Sequence, residues 1–396
     1  MNDIYLAFPN YNLYSMPLLI LVVQGYLFAF LLLNRFRKKG HLSDVFLALI
    51  CAITAYQCTS YTIGFMEWYD TYRNTKINYY LVDVTLAIGP SVYFYVLLVT
   101  QPKRGFKGQD WLHYLPFAIW LLYEVFVWAF DSQQAGYWDQ QNGWWLENIH
   151  FKYVSPFQES LGYLSKILYY TFTIQLFWNY RKRLRAYFSN TYKVELNWIR
   201  NFLVIYCILL FTFQFVVNII NSFIQELHWT QSWWSFLAAA VTAYFLGMKG
   251  YFTDISKLLS LTEKVEMPKV DIAEADPPEQ ESLEEWKFKL ERLMDEDKPY
   301  LNPDLTLSEL AKQLGISSNL LSQVINTCFG RNFNDFVNGY RVEAIKEKLQ
   351  AGEQKTKSFL GIAFDCGFNS KATFNRTFKK FTQLSPSEFS RKIASG

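Results

Sequence analysis

Long apolar stretches separated by short polar loops fill the first part of the chain. A helix needs about 20 mainly apolar residues to cross the hydrocarbon core of a bilayer. Seven stretches approach that length: 17–33, 45–65, 79–99, 111–130, 161–178, 199–223 and 233–251. Because seven such stretches leave little polar surface for water, the pattern predicts a seven-helix transmembrane bundle rather than a soluble helical core.

The pattern changes near residue 283 to that of amphipathic helices in a soluble domain. Thr306 followed by Glu309 predicts a capping box at a helix start, and Gly315 stands where that helix would end in a left-handed turn. Ser317 then caps a second helix. The same order returns with Gly367 as the turn and Ser370 as the cap. Two successive units of helix, turn and capped helix are typical of tandem helix-turn-helix motifs.

The two capped helices are predicted to bury one face and to present the other to DNA. The residues predicted to be buried in the two units include Leu307, Leu310, Ala311, Leu314, Leu320, Leu321, Val324, Ile325, Cys328, Phe359, Leu360, Ile362, Ala363, Phe364, Phe374, Phe378 and Phe381. The outward positions carry amide, hydroxyl and basic groups, which hydrogen-bond to base edges and phosphates. The predicted DNA contacts are Asn319, Ser322, Gln323, Asn326, Lys371, Ala372, Asn375, Arg376, Lys379 and Lys380.

An acidic, proline-containing connector separates the two parts. Residues 252–282 carry three Lys against eight Asp and Glu, whereas residues 355–396 carry eight Lys and Arg against two acidic residues. The net charge of +3 hides this contrast, and a clustered basic tail is typical of nucleic-acid binding. The prediction is therefore an all-α chain: a seven-helix transmembrane module at 1–251, a linker at 252–282 and a cytosolic DNA-binding domain at 283–396.

The basic residues of the loops predict the orientation in the membrane. The loops after the first, third and fifth stretches hold twelve Lys and Arg, and the loops on the opposite side hold three. The positive-inside rule therefore places the N-terminus outside and the C-terminus in the cytosol of a multi-pass protein of the cytoplasmic membrane. Residues 1–17 have neither a basic start nor a small-residue cleavage site, so the first stretch is interpreted as an uncleaved anchor.

Polar groups inside the apolar stretches are candidates for sensing a signal. Ionisable side chains are expensive in a bilayer and mark either a functional cavity or a structural pair. Both interpretations stay open for the predicted sensing residues, which are Asp83, Glu124, Lys166, Gln214, Asn218 and Asn221. Three tryptophans of the loop that follows the fourth stretch, Trp138, Trp144 and Trp145, are interpreted either as a cover over such a cavity or as part of an interfacial aromatic belt.

The sequence predicts no enzyme, no cofactor and no metal site. The five cysteines show no metal-ligand spacing and no disulfide framework, and the four histidines are scattered. His113 is predicted to be a hydrogen-bonding residue at the bundle edge. An enzyme within the membrane module would need paired catalytic groups at the same depth in the bilayer, and the only candidates are Asp83, Glu124 and His113.

Several runs of residues between 301 and 391 form one recognisable pattern: Leu307–Ala311, Phe333, Tyr340–Ala344, Ile362–Ser370, Phe374–Lys380 and Ser385–Phe389. In these runs, residues 301–391 resemble the DNA-binding domain of the AraC/XylS family of bacterial transcription regulators. Gln323 departs from it where the family often has Arg, and so does Ser390 between Phe389 and Arg391. The resemblance implies two recognition helices that enter successive major grooves. Gly89-Pro90, Tyr93–Tyr95, His113 and Pro116 make the front similar to the family's membrane-anchored subgroup.

These observations predict a membrane-bound one-component transcription regulator that responds to an external or membrane signal. The expected partners are double-stranded DNA, the lipid bilayer, RNA polymerase and an unidentified small-molecule or membrane signal, and the sequence allows a homodimer. The alternative is a multi-span receptor or transporter-like protein whose DNA-binding domain acts after proteolytic release.

Overall fold

The computed structural model describes residues 8–71, 76–191, 195–208, 233–253 and 280–394. This part of the chain is helical and has no β-strand; one isolated antiparallel bridge joins Phe188 and Thr306. The chain divides into two compact units. The N-terminal unit contains residues 1–177 and 197–256, and the C-terminal unit contains residues 178–196 and 257–396.

The helices that begin in the N-terminal unit are long and mainly apolar. They are α1 (Ser15–Lys39), α2 (Leu42–Phe65), α3 (Trp68–Thr71), α4 (Ile77–Tyr80), α5 (Thr85–Thr100), α6 (Leu115–Asp131), α7 (Ser155–Tyr187), α8 (Asn197–Ile208) and α9 (Trp233–Phe252). Short 3₁₀ turns lie at Pro102–Arg104, Gly108–Tyr114 and Tyr137–Asp139, and a π-helix, Leu146–Val154, leads into α7. The last residues of α7 belong to the C-terminal unit.

Helix α2 is the centre of the N-terminal unit and packs against α1, α5 and α9. The close approach of α9 to α2 depends on a glycine, since a Cβ on Gly250 of α9 would lie 2.3 Å from Leu47 Cδ2 of α2. A buried ion pair ties the ends of the same helices together. Arg35 Nη2 of α1 lies 2.5 Å from Asp44 Oδ1 of α2 and donates to the Gly250 carbonyl at 3.0 Å. These contacts were not predicted.

Four helical stretches of the described residues, and not the predicted seven, are long and apolar enough to cross a membrane. They are Ser15–Lys39, Leu42–Phe65, Ile77–Thr100 and Gly108–Asp131, which correspond to the first four predicted spans. The fifth and seventh predicted spans form helices, α7 and α9, but their Tyr, Trp and Lys residues dilute the hydropathy that the seven-helix prediction had assumed. Most of the sixth lies outside the described residues.

Two of these helices expose an apolar face. On α1, Val23, Leu27 and Phe30 are 57%, 50% and 64% exposed and follow one another at helical spacing. On α6, Leu122 and Val125 are 71% and 60% exposed. The buried side of α6 carries Glu124 and Asp131 instead. These helices expose apolar side chains and bury some polar ones, which is the reverse of the arrangement in water-soluble proteins.

The C-terminal unit has the opposite arrangement, with apolar residues inside and charged residues outside. Its helices are α10 (Gln280–Glu296), α11 (Leu307–Leu314), α12 (Ser318–Phe329), α13 (Phe333–Gln350), α14 (Phe359–Asp365), α15 (Lys371–Thr382) and α16 (Pro386–Ala394). Short 3₁₀ turns lie at Pro299–Leu301 and Glu353–Lys355. A core of buried residues joins α13 to α14 and α15: Val342, Ile345, Leu349, Ile362, Ala363, Cys366, Phe368, Phe374 and Phe378.

One predicted core residue of this unit is wrong. Phe364 is 48% exposed, because α14 already turns Ile362, Ala363 and the following Cys366 inward and Phe364 points away from that side.

The predicted domain boundaries, 1–251, 252–282 and 283–396, stay predictions. The structure adds that residues 178–191, 195 and 196, which the sequence places in the membrane module, belong to the C-terminal unit.

Candidate nucleic-acid interface

The first helix-turn-helix unit consists of α11, a short turn and α12, and its predicted caps are confirmed. Thr306 Oγ1 accepts the Glu309 N–H at 3.2 Å, while Glu309 Oε2 accepts the Thr306 N–H at 2.9 Å. Gly315 ends α11 with φ +70°. Ser317 Oγ then accepts the Leu320 N–H at 3.2 Å and starts α12. Local hydrogen bonds thus fix where both helices begin and end.

The second unit repeats this construction with α14 and α15, but its turn is buried. Ser370 Oγ accepts the Thr373 N–H at 3.1 Å, as the sequence predicts for a cap. Gly367 has φ +88°, and a Cβ there would lie 2.3 Å from the Tyr300 carbonyl oxygen and 2.9 Å from Arg341 Nε. Glycine is therefore required at 367 both by the backbone conformation and by the space available.

The neighbour of Gly367, Arg341 of α13, is a buried cation held by backbone and side-chain oxygens. It is 1% exposed and donates to the carbonyls of Tyr300 and Asn302, both at 2.7 Å. It also donates to Asn338 Oδ1 at 3.2 Å and to Ser189 Oγ at 3.1 Å. Burial lowers the pKa of the Arg341 guanidinium to about 10, so the side chain stays charged near neutral pH. The family-like sequence around 341 did not indicate this role.

The structure places most of the predicted DNA contacts on the outer faces of α12 and α15. Asn319 and Asn326 are exposed on α12, and Ser322 and Gln323 between them are half-buried. On α15 all six predicted contacts are exposed: Lys371, Ala372, Asn375, Arg376, Lys379 and Lys380. Thr373, Phe374, Thr377 and Phe378 form the buried side of the same helix. The predicted contact residues of each helix are thus presented together, and their role in DNA binding stays a prediction.

Two of the basic side chains on α15 already have carboxylate partners in the C-terminal unit. Arg376 Nη1 lies 3.3 Å from Glu195 Oε2, and Arg376 Nη2 lies 3.4 Å from Glu195 Oε1. Lys380 Nζ lies 2.6 Å from Asp335 Oδ1. Glu195 is 1% exposed. Sequence analysis missed both partners. No short-range pattern could have found Glu195, because it is far from Arg376 in sequence and stands next to a strongly basic loop.

The predicted sensing residues are only partly brought together. Asp83 and Lys166 line one cavity of about 420 Å³ in the N-terminal unit, with Thr54, Gln57, Thr85 and Glu159. Glu124 is 8% exposed but is not among the described residues that line this cavity. Trp138, Trp144 and Trp145 are also not among the described residues that line this cavity. Gln214, Asn218 and Asn221 lie outside the described residues.

Asp83 also has a structural role beside this cavity. Its Oδ1 accepts the Thr85 N–H at 2.6 Å at the start of α5, and its Oδ2 accepts a hydrogen bond from Gln158 Nε2 at 2.8 Å. His113 is hydrogen-bonded through Nδ1 to the Tyr169 hydroxyl at 2.8 Å, which confirms the prediction made for it. All five cysteines are free thiols.

Comparison with known proteins bears on the C-terminal unit. Residues 310–392 match the family model described as a helix-turn-helix domain. An uncharacterized HTH-type transcriptional regulator of Staphylococcus aureus (strain COL) is 34% identical over 101 residues, which is 26% of this chain and 13% of that protein. The uncharacterized HTH-type transcriptional regulator YijO of Escherichia coli (strain K12) is 35% identical over 91 residues, 23% of this chain and 31% of that protein.

The C-terminal domain is therefore a helix-turn-helix domain of the AraC type. This chain spans only 13% of the length of the Staphylococcus aureus protein, and the match leaves the membrane-like N-terminal unit uncovered. No solved structure matches the chain.

Proposed function

We propose that this protein is a membrane-bound transcription regulator that reads DNA sequence through α12 and α15 in response to an external or membrane signal. The exposed face of α15 carries the proposal. Four basic side chains and Asn375 share that face, while Thr373, Phe374, Thr377 and Phe378 are buried on the other. A capped helix with such a face, in a domain of the AraC type, supports insertion into a major groove.

Membrane attachment is supported by the exposed apolar faces of α1 and α6. Water-soluble proteins rarely leave such rows of Val, Leu and Phe unburied, whereas lipid tails accommodate them without cost. The twelve basic residues on one side of the predicted membrane support a cytosolic DNA-binding domain. RNA polymerase, a signal molecule and a second copy of the chain are the further partners of this proposal.

The cavity beside Asp83 and Lys166 supports signal reception in the N-terminal unit. A ligand shifts an equilibrium between two conformations only through contacts that differ between them. Asp83→Asn and Lys166→Gln should therefore weaken the transcriptional response, whereas Gln133→Ala in the loop after α6 should leave it intact. If the variants instead lower the amount and heat stability of the folded protein without changing its response, the polar groups are a structural pair.

The experiment that tests the function is a genome-wide map of DNA sites bound by the intact protein in its own cells. We expect a small set of sites, with occupancy lost in Arg376→Ala and retained in Glu343→Gln, an exposed residue of α13. Accessibility labelling of tags at Asn2, in the loop 133–145 and at Gly396 tests the membrane part. External labelling of the first two but not of the third is expected; protection of either external tag, or the absence of specific DNA sites, would contradict the proposal.

A further inference from the structure

The described residues that follow α7 in the C-terminal unit, 188–191 and Glu195, contact the helix-turn-helix domain. Ser189 is fully buried; its N–H and its hydroxyl donate to the Leu305 carbonyl at 3.2 and 2.7 Å. The Ser189 carbonyl accepts from Asn334 at 2.8 Å and from Asn338 at 3.1 Å, both on α13. Arg341 of α13 reaches the Ser189 hydroxyl. These contacts bury Ser189 against α13 and the Leu305 carbonyl, although the sequence places Ser189 in a loop of the membrane module.

Glu195 places a carboxylate beside Arg376 on the predicted DNA-binding face of α15. Glu195 is oriented by hydrogen bonding from Thr191 Oγ1 and by Arg181, whose Nη2 lies 3.1 Å from Glu195 Oε2. Although burial alone would raise the pKa of the Glu195 carboxyl, the Thr191 hydrogen bond and the Arg376 and Arg181 guanidiniums hold that pKa below its usual value. Glu195 is therefore an anion near neutral pH.

The way in which Glu195 meets Arg376 bears directly on DNA binding. Its two oxygens face Nη1 and Nη2, the pair of donors at the tip of the guanidinium. Arginine uses such paired donors to bind guanine O6 and N7 or two phosphate oxygens. The carboxylate and the DNA therefore need the same donors, and one excludes the other.

We propose that Glu195 is an internal competitor of DNA, whose carboxylate takes the place of a DNA acceptor group on Arg376. The proposal rests on the proposed function, because it assumes that α15 binds DNA. Ser189 is docked on α13 and Arg181 pairs with Glu195, so Glu195 acts at a high effective concentration beside α15. Because α7 runs unbroken from Ser155 in the N-terminal unit to Tyr187, it is the covalent route by which a change in that unit would reach Glu195.

The test measures binding of the full-length protein, in lipid nanodiscs, to a fluorescent 40-base-pair duplex of random sequence (about four helical turns). Glu195→Gln keeps the shape of the side chain and removes its charge. We expect it to tighten binding about tenfold, the effect of one charge-assisted interaction. Glu343→Gln is the control for loss of charge, since it also removes one carboxylate of the same domain but from an exposed side chain, and it should change binding less than twofold.

A double-variant cycle separates competition from a general charge effect. In the Arg376→Ala background, Glu195→Gln should change binding no more than Glu343→Gln does. Thr191→Val, which removes the hydroxyl that orients Glu195, should tighten binding in the same direction by a smaller factor. If Glu195→Gln destabilises the protein so far that its DNA binding cannot be measured, Thr191→Val provides the test of competition.

The outcomes are distinguishable from those that test the proposed function. If Glu195→Gln or Thr191→Val weakens binding or leaves it unchanged while Arg376→Ala weakens it, Glu195 positions or merely neighbours the arginine, and the competition is refuted although DNA binding stands. If the parent and every variant fail to bind DNA, the proposed function itself is wrong.

Discussion

The two helix-turn-helix units share one construction and differ in chemistry. When the caps Ser317 and Ser370 are aligned, Gln323 of α12 corresponds to Arg376 of α15, and Asn326 corresponds to Lys379. The outward face of α12 is neutral, whereas that of α15 carries four basic side chains. Amides discriminate between base edges, while cations also bind phosphates of any sequence. For the proposed DNA binding, this comparison predicts that the first unit contributes mainly selectivity and that the second contributes both affinity and its salt dependence.

The units also differ in how their turns are packed. Gly315 has nothing within 4 Å of an added Cβ, whereas Gly367 lies against the Tyr300 and Leu301 carbonyls and Arg341. The second turn is thus part of the buried centre that also holds Ser189, and the first turn faces open space. A change at Ser189 would therefore act on the second unit first.

The largest expected effect tests this difference in packing. Gly315→Ala should cost about 1 kcal/mol of unfolding free energy, because only the left-handed backbone conformation opposes it. Gly367→Ala should cost about 3 kcal/mol or more, since steric overlap adds to the same strain. Pulse proteolysis of the full-length protein in urea, followed with a C-terminal tag, measures both. Equal losses in the two variants would show that the second turn is not more tightly packed than the first.

The next effect tests the division between selectivity and affinity. Arg376→Ala should cost about 1–3 kcal/mol in binding to a mapped operator and should flatten the dependence of log K on log salt by less than about one unit, because Glu195 already neutralises part of its charge. Gln323→Ala, at the equivalent position of α12, should leave the slope unchanged, because it removes no charge. Fluorescence-anisotropy titrations at several salt concentrations measure both the binding free energy and the salt slope of each variant. A slope that changes equally in the two variants would contradict the assignment.

A smaller effect is expected from the first exposed amide of α12. Asn319→Ala should reduce discrimination at one base pair by about 1 kcal/mol and should leave binding to random DNA as it is. Thr327→Ala, at an exposed residue of α12 that is not a predicted DNA contact, serves as the control. Competition with operators altered one base pair at a time measures the preference. If Asn319→Ala weakens all sequences alike, α12 contributes affinity rather than selectivity.

The smallest effect distinguishes two neighbouring lysines of α15. Lys380 is paired with Asp335, and no ion pair is described for Lys379, so the two differ in the charge available to DNA. Lys379→Ala should flatten the salt slope by about one unit, and Lys380→Ala by less. The same titrations measure both, with wild-type melting temperature as the criterion of intact folding. A larger change in Lys380→Ala would show that DNA displaces Asp335 without penalty.

Periodicity over short distances made much of the C-terminal domain predictable. The capping box at Thr306, the left-handed Gly315 and the cap at Ser370 all concern residues within one helical turn, and each is confirmed. Phe364 was assigned wrongly because a short apolar helix does not show by itself which of its sides meets the core. In the N-terminal part, aromatic residues counted as apolar put the fifth and seventh stretches among the predicted spans, whereas the described residues support the first four.

The sequence by itself determined where the capped helices of the two helix-turn-helix units begin. It also determined which side chains of α15 face outward. Both features depend on contacts along a single helix. Only the tertiary structure decided what lies against them. Arg341 meets Ser189, Gly367 meets Tyr300, and Arg376 meets Glu195 across long separations in the chain. Such contacts depend on how helices pack, which a pattern of neighbouring residues does not encode, and they place a competing carboxylate on the face that the sequence predicted for DNA.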